Sequence, residues 1–145
     1  MRMLLAISVD RSDAVRGRWR RKRIDLKRQA LLPIANVARW AALSTGSVAL
    51  PTSERLQAAA GSRMLTIEDA DTLSDVFEIV QRIRLRHQLD QLAAGESPSD
   101  TILLRDVSTI DSSVLGDAVR EILAVQKRIA NKGKFVPELQ DSPLL

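Results

Sequence analysis

The stretch TIEDADTLSDVFEIVQRIRLRHQLDQLAAG, residues 66–95, carries the strongest structural instruction in the chain. Thr66 presents a hydroxyl three residues ahead of Asp69, the spacing with which an N-cap side chain accepts a free backbone N–H of the first helical turn. From there Ile67, Ala70, Leu73, Val76, Phe77, Val80, Ile83 and His87 recur at helical spacing until Gly95. The period predicts one helix of about 28 residues with a single apolar stripe. Such a stripe must be buried against other elements.

Working outward, two further long segments supply those elements. Residues Lys27 to Thr45 place Leu31, Ile34, Ala35, Ala38, Ala41, Ala42 and Thr45 on one stripe and stop at Gly46. Pro33 lies inside this pattern, so it either occupies the first turn, with a start near Leu32, or kinks the helix. STID at 108–111 is a second capping signature, and it opens a helix whose stripe is Leu115, Ala118, Val119, Ile122, Val125, Gln126 and Ile129, fraying near Asn131 and Gly133. A short helix is expected over Ser53–Ala60, facing inward with Leu56 and Ala59. Ahead of the bundle, LLAISV (4–9) and RIDL (23–26) read as two short strands around a turn at DRSD, and the stretch through TILL (101–104) reads as a connection. The expected fold is all-α, an antiparallel bundle of three long helices and at least one short one, behind an irregular or short-stranded basic N-terminal segment. The expected division is a basic segment 1–26, a bundle 27–131 and an extended tail 132–145.

Composition agrees with packed helices. Of the 145 residues 45% are hydrophobic but only 3% aromatic, so Leu, Ile, Val and Ala must build the core. There is no cysteine, which excludes a disulfide scaffold, a thiol nucleophile and a cysteine zinc site. The apolar runs fall well short of the ~20 residues that cross a bilayer, and a cytoplasmic setting is expected. The net charge of +4 conceals an asymmetry: residues 1–28 hold ten Lys or Arg against Asp10, Asp13 and Asp25, whereas the remainder is slightly acidic.

That asymmetry frames the candidate sites. The run 16–28 interleaves Trp19 with basic residues, which suits a nucleic-acid-binding module that grips phosphates and stacks on bases. It equally suits a solvated segment of a structural or dimerising interaction domain, or an anion site in which Lys27 and Arg28 meet Arg86 and His87 of the long helix. His87 and Gln126 interrupt apolar stripes, and an unpaired buried polar group costs roughly 1 to 3 kcal/mol. They are therefore expected to form a buried polar layer together with Asp25. TGS (45–47) and DAD (69–71) imitate the Gly-Ser turn and paired aspartates of a nucleotidyl-transfer centre. On a helix, however, Asp69 and Asp71 diverge by about 200° and cannot share a metal. No catalytic and no metal site is expected in this chain.

Taken together, RIDLKRQALLPIANVARWAAL, RLQAAA, LRLRHQLDQL and AVQKRI resemble the helical substrate-binding domain of putative nucleotidyltransferases, found in proteins with CBS and cyclic-nucleotide-binding modules. The likeness spans about residues 20–130. It implies an all-α domain packed beside a catalytic domain related to that of protein PII uridylyltransferase, in cis or in trans. That neighbour would supply the metal-binding aspartates, the nucleoside triphosphate and Mg, so the chain alone is expected not to transfer nucleotides. The motifs carry over onto Asp25, Leu26, Lys27, Arg28, Leu32, Pro33, Ile34, Arg39, Arg84, Arg86, His87, Gln88 and Gln126. Lys27, Arg28, Arg86 and His87 are expected to be the polar heart.

Overall fold

A computed structural model describes residues 18–46, 48 and 51–134. Four α-helices dominate it: α1 (Leu32–Thr45), α2 (Thr52–Ala59), α3 (Ile67–Ala93) and α4 (Thr109–Lys134), with the strands β1 (Arg23–Asp25) and β2 (Thr101–Leu103) at one end. The all-α bundle is what the stripes demand. Leu73, Val76 and Val80 of α3 and Leu115, Ala118, Ile122 and Val125 of α4 are buried in one core with Ile34, Ala38 and Ala41 of α1. The alanines let α1 approach its neighbours closely, and α2 seals its far end with Leu56 and Ala59.

Helix boundaries follow local chemistry. Thr66 Oγ1 accepts from Asp69 N at 3.0 Å, and Ser108 Oγ accepts from Asp111 N at 3.0 Å, so both capping signatures form. Gly46 ends α1 at φ 70°, a left-handed conformation that side chains resist. Pro33 occupies the first turn of α1, which starts at Leu32, the first of the two readings that its place in the sequence allows. Lys27–Leu31 form a π-helical turn continuous with α1, in which Leu32 N donates to Lys27 O. The proline lacks the N–H that would close the preceding α-turn and its ring crowds that turn's carbonyl, and a wider turn relieves both.

The strands correct the N-terminal expectation. Arg23–Asp25 is extended as read, but its partner is 101–103, with Arg23 opposite Leu103, Ile24 opposite Ile102 and Asp25 opposite Thr101. The expected partner LLAISV, its turn and the C-terminal tail from 135 onward lie outside the described residues. Ile24 and Ile102 are 2% and 0% exposed, so this small ladder holds because its central pair closes the end of the core. Residues 18–26 consequently pack on the bundle. Trp19 Nε1 donates to Ser112 O at 2.7 Å, and Arg20 donates to Thr109 Oγ1 and to the carbonyls of Arg105 and Val107.

Two ion pairs set α3 and α4 antiparallel. Arg128 binds both carboxylate oxygens of Asp69, the nearer at 2.7 Å, and Arg86 reaches Asp111 at 3.1 Å. The two contacts are separated by equal lengths of helix, from 69 to 86 on α3 and from 111 to 128 on α4. Asp69 is buried, whereas Arg128 is half in solvent. The Asp69 hydrogen bond, against an opposing effect of burial, raises the Arg128 pKa above its ordinary value. Among the described residues, no helix is long and apolar enough to cross a membrane.

Candidate functional site

The basic run meets the bundle at the junction of β1 with the π-helical turn, and two aspartates fix the backbone there. Asp25 Oδ1 accepts from Arg28 N at 2.9 Å, while Gln29 Oε1 accepts from Asp25 N at 2.7 Å. This reciprocal arrangement satisfies donors that a starting helix leaves free. From the opposite side Asp100 O accepts from Leu26 N at 2.9 Å. The Asp100 carboxylate is itself held by α3: Oδ1 accepts from Arg84 Nε at 2.5 Å and from Gln88 Nε2 at 3.1 Å. One turn on, Gln91 Oε1 accepts from Ser99 N at 2.8 Å. A rigid backbone thus carries the exposed side chains of Lys22, Arg23, Lys27 and Arg28. Among the described residues none of these four cations makes an ion pair, although the Asp25 carboxylate lies on the backbone between them. Exposed guanidinium and ammonium groups on a fixed backbone are suited to phosphate or carboxylate.

The remaining expected site residues separate. Arg86 is exposed and bound to Asp111, and no hydrogen bond or ion pair joins it or His87 to Lys27 or Arg28 among the described residues. Asp25, His87 and Gln126 are half-buried, and the fully buried polar residues among those described are Asp69 and Ser112. The antiparallel register sets His87 near the Arg86–Asp111 end and Gln126 near the Asp69–Arg128 end, so they cannot share a layer. Asp25 serves as a cap, and His87 Nε2 is enclosed with no partner among the described residues. Trp19 is half-buried, packs against the core and donates its N–H to Ser112 O, so it is part of the framework of the bundle.

Asp69 and Asp71 diverge as the helical geometry requires. Asp69 faces Arg128, and Asp71 accepts from Gln57 Nε2 at 3.3 Å. Among the described residues no three His, Asp or Glu side chains could hold a metal ion together.

A family model described as "Putative nucleotidyltransferase substrate binding domain" matches residues 11–132. The chain belongs to this family. No curated protein and no solved structure matches it. In this substrate-binding domain the motif residues divide between framework and surface. Asp25, Leu26, Pro33, Ile34, Arg84 and Gln88 shape and lock the junction, whereas Lys27 and Arg28 are displayed by it. Three residues that complete the framework had no such role in the sequence reading: Asp100, Arg128 and the buried Ser112. Asp100 has only its place after Ser97–Ser99 as a local signal, because its partners lie 12 and 16 residues away.

Proposed function

We propose that this chain is the helical accessory domain of a nucleotidyltransferase-like signalling protein related to protein PII uridylyltransferase. Lys22, Arg23, Lys27 and Arg28 form the substrate-side wall of a cleft that a catalytic domain completes in cis or in trans. The observation that carries this reading is a set of four exposed cations, without an ion pair among the described residues, on a backbone held by Asp25 and Asp100. Their work is to bind and orient an anionic group, while the nucleoside triphosphate and Mg belong to the neighbouring domain. The chain by itself is not the enzyme, and its setting is the cytoplasm.

Charge reversal at Lys27 and Arg28 tests this in the complete protein with its catalytic domain. Both side chains are exposed, so the Lys27→Glu, Arg28→Glu variant should fold with an unchanged melting temperature. Its kcat/KM for nucleotidyl transfer should fall at least about tenfold, as loss of charge-assisted contacts to an anion requires. An unaltered kcat/KM would remove these residues from the substrate wall.

A further inference from the structure

The outward face of α1 is not built as a solvated face. Leu32, Asn36, Arg39, Trp40 and Leu43 are all exposed, and they fall within about 100° of one another around the helix axis. The apolar members Leu32, Trp40 and Leu43 are 41%, 37% and 75% exposed. Apolar side chains scattered singly over a surface need no explanation, but these form a row about 17 Å long at the rise of an α-helix. Charge is also missing where a solvated helix carries it in both signs. After Asp25 the sequence holds no acid until Glu54, so neither the π-helical turn nor α1 has one. The arginines of α3 and α4 all make ion pairs, namely Arg82, Arg84, Arg86, Arg120 and Arg128. Arg39 is exposed and makes none among the described residues. Leu32 and Arg39 stand among the motif residues, yet they belong neither to the framework of the β1 junction nor to its cations.

We infer that the catalytic domain docks on this face through an apolar surface rimmed by carboxylates, an assignment of partner that rests on the nucleotidyltransferase reading. Continuity places it there. The π-helical turn runs into α1 without a break, and Arg28 stands four residues before Leu32, close to one turn. A domain that closes a cleft over Arg28 therefore lies against the start of α1, where the row from Leu32 to Leu43 gives it an apolar footing. Composition fits the same role. Tryptophan and arginine are enriched at the centres of interfaces and acids are depleted there, and Arg39 and Trp40 stand mid-row between Leu32 and Leu43. Charge selects the partner. Arg28 and Arg39 find no acid on their own helix, so the carboxylates that match them must come from the surface that covers them. A second copy cannot supply them from this face: a two-fold interface sets one patch against itself, and this patch has cations without acids. A polyanion, in turn, would need cations where Leu32, Trp40 and Leu43 stand.

Thiol labelling tests it, because the chain has no cysteine of its own. Asn36→Cys and Leu43→Cys replace exposed residues of the row, and Leu123→Cys, at a position 59% exposed on α4, is the reference. In the chain by itself all three variants should react with a maleimide as accessible thiols do. In the complete protein with its catalytic domain, the thiols at positions 36 and 43 should react at least about tenfold more slowly, while that at 123 keeps its rate. Adding Arg39→Glu to Asn36→Cys should restore fast labelling, as loss of a central interface residue does. It should leave the melting temperature of the chain by itself unchanged, because Arg39 is exposed there. Three results would each overturn the inference: labelling at 36 and 43 as fast in the complete protein as in the chain by itself, protection that survives Arg39→Glu, or slow labelling of the chain by itself that dilution relieves, the mark of a second copy. Protection does not depend on turnover. Slow labelling at 36 and 43 together with an unaltered kcat/KM in Lys27→Glu, Arg28→Glu would remove the cleft wall and keep the docking face; the reverse pair of results would remove the docking face alone.

Discussion

Asp100→Ala lowers the unfolding free energy by about 2 kcal/mol, the expected cost of removing a carboxylate that accepts two hydrogen bonds, one of them charged. Its side chain is 26% exposed and that of its ion-pair partner Arg84 is 30% exposed, so solvent replaces only part of what is lost. Without the carboxylate, the Arg84 guanidinium and the Gln88 amide lose their common acceptor beneath the β1 junction. The damage should be local as well as global. Leu26 N still donates to residue 100 O, but the loop presenting that carbonyl is then tied to α3 only through Ser99, by Gln88 and Gln91. Amide exchange should therefore accelerate at Leu26 and Ile102 before it changes at Val76 or Ile122. Urea denaturation measures the first effect and hydrogen exchange the second. A loss under about 0.5 kcal/mol would mean that Arg84 and Gln88 are satisfied by water, and that the junction stands without them. Asp100→Asn should fall between wild type and alanine, because it keeps an acceptor and loses the charge.

Arg128→Ala should cost about 2 to 3 kcal/mol by the same measurement, because it leaves the Asp69 carboxylate in the core without its cation. The side chain of Asp69 is only 9% exposed, against 49% for Arg128, so the penalty falls on the aspartate. The position of Asp69 in the first turn of α3, where the helix dipole favours a negative charge, keeps the figure near the lower bound. The double replacement Asp69→Ala, Arg128→Ala should lose less than the two single losses added together, since it removes the buried charge along with its partner. Additive losses would show that the two side chains act independently. The pH dependence has a definite sign. The folded-state pKa of Arg128 is raised, so its contribution is complete below the unfolded-state value and is lost only as pH rises through the folded-state one. Both lie well above the physiological range, so the pair gives no alkaline loss of stability between about pH 7 and 10.

The helices were legible locally, whereas Thr101–Leu103, read as a connection, is a strand and Ile67, read on the buried stripe, is exposed. The stripes of α1, α3 and α4 announce a helical bundle, and Thr66 and Ser108 mark two helix starts through side chains that act within one turn. The resemblance of RIDLKRQALLPI and LRLRHQLDQL to a family likewise rests on contiguous residues, and the family model bears it out. The roles of those same residues were less legible. Polar interruptions of a stripe look like a layer in projection, yet His87 and Gln126 fall at opposite ends of an antiparallel helix pair. Composition singles out the basic run but cannot say which members are engaged. Trp19 and Arg20 prove to be anchored to the start of α4 and the turn before it, while Lys27 and Arg28 remain on the surface.

By itself, then, the sequence determined the helices, their caps, their buried faces and the family, because each depends on side chains within a turn or two of one another. The tertiary structure alone decided that 23–25 pairs with 101–103, that Asp100 locks α3 to the β1 junction, and that Asp69 is neutralised by Arg128. Those contacts join residues far apart in the chain, and no local period or spacing encodes them. Their partners are chosen by which polar groups remain unsatisfied once the apolar stripes have packed.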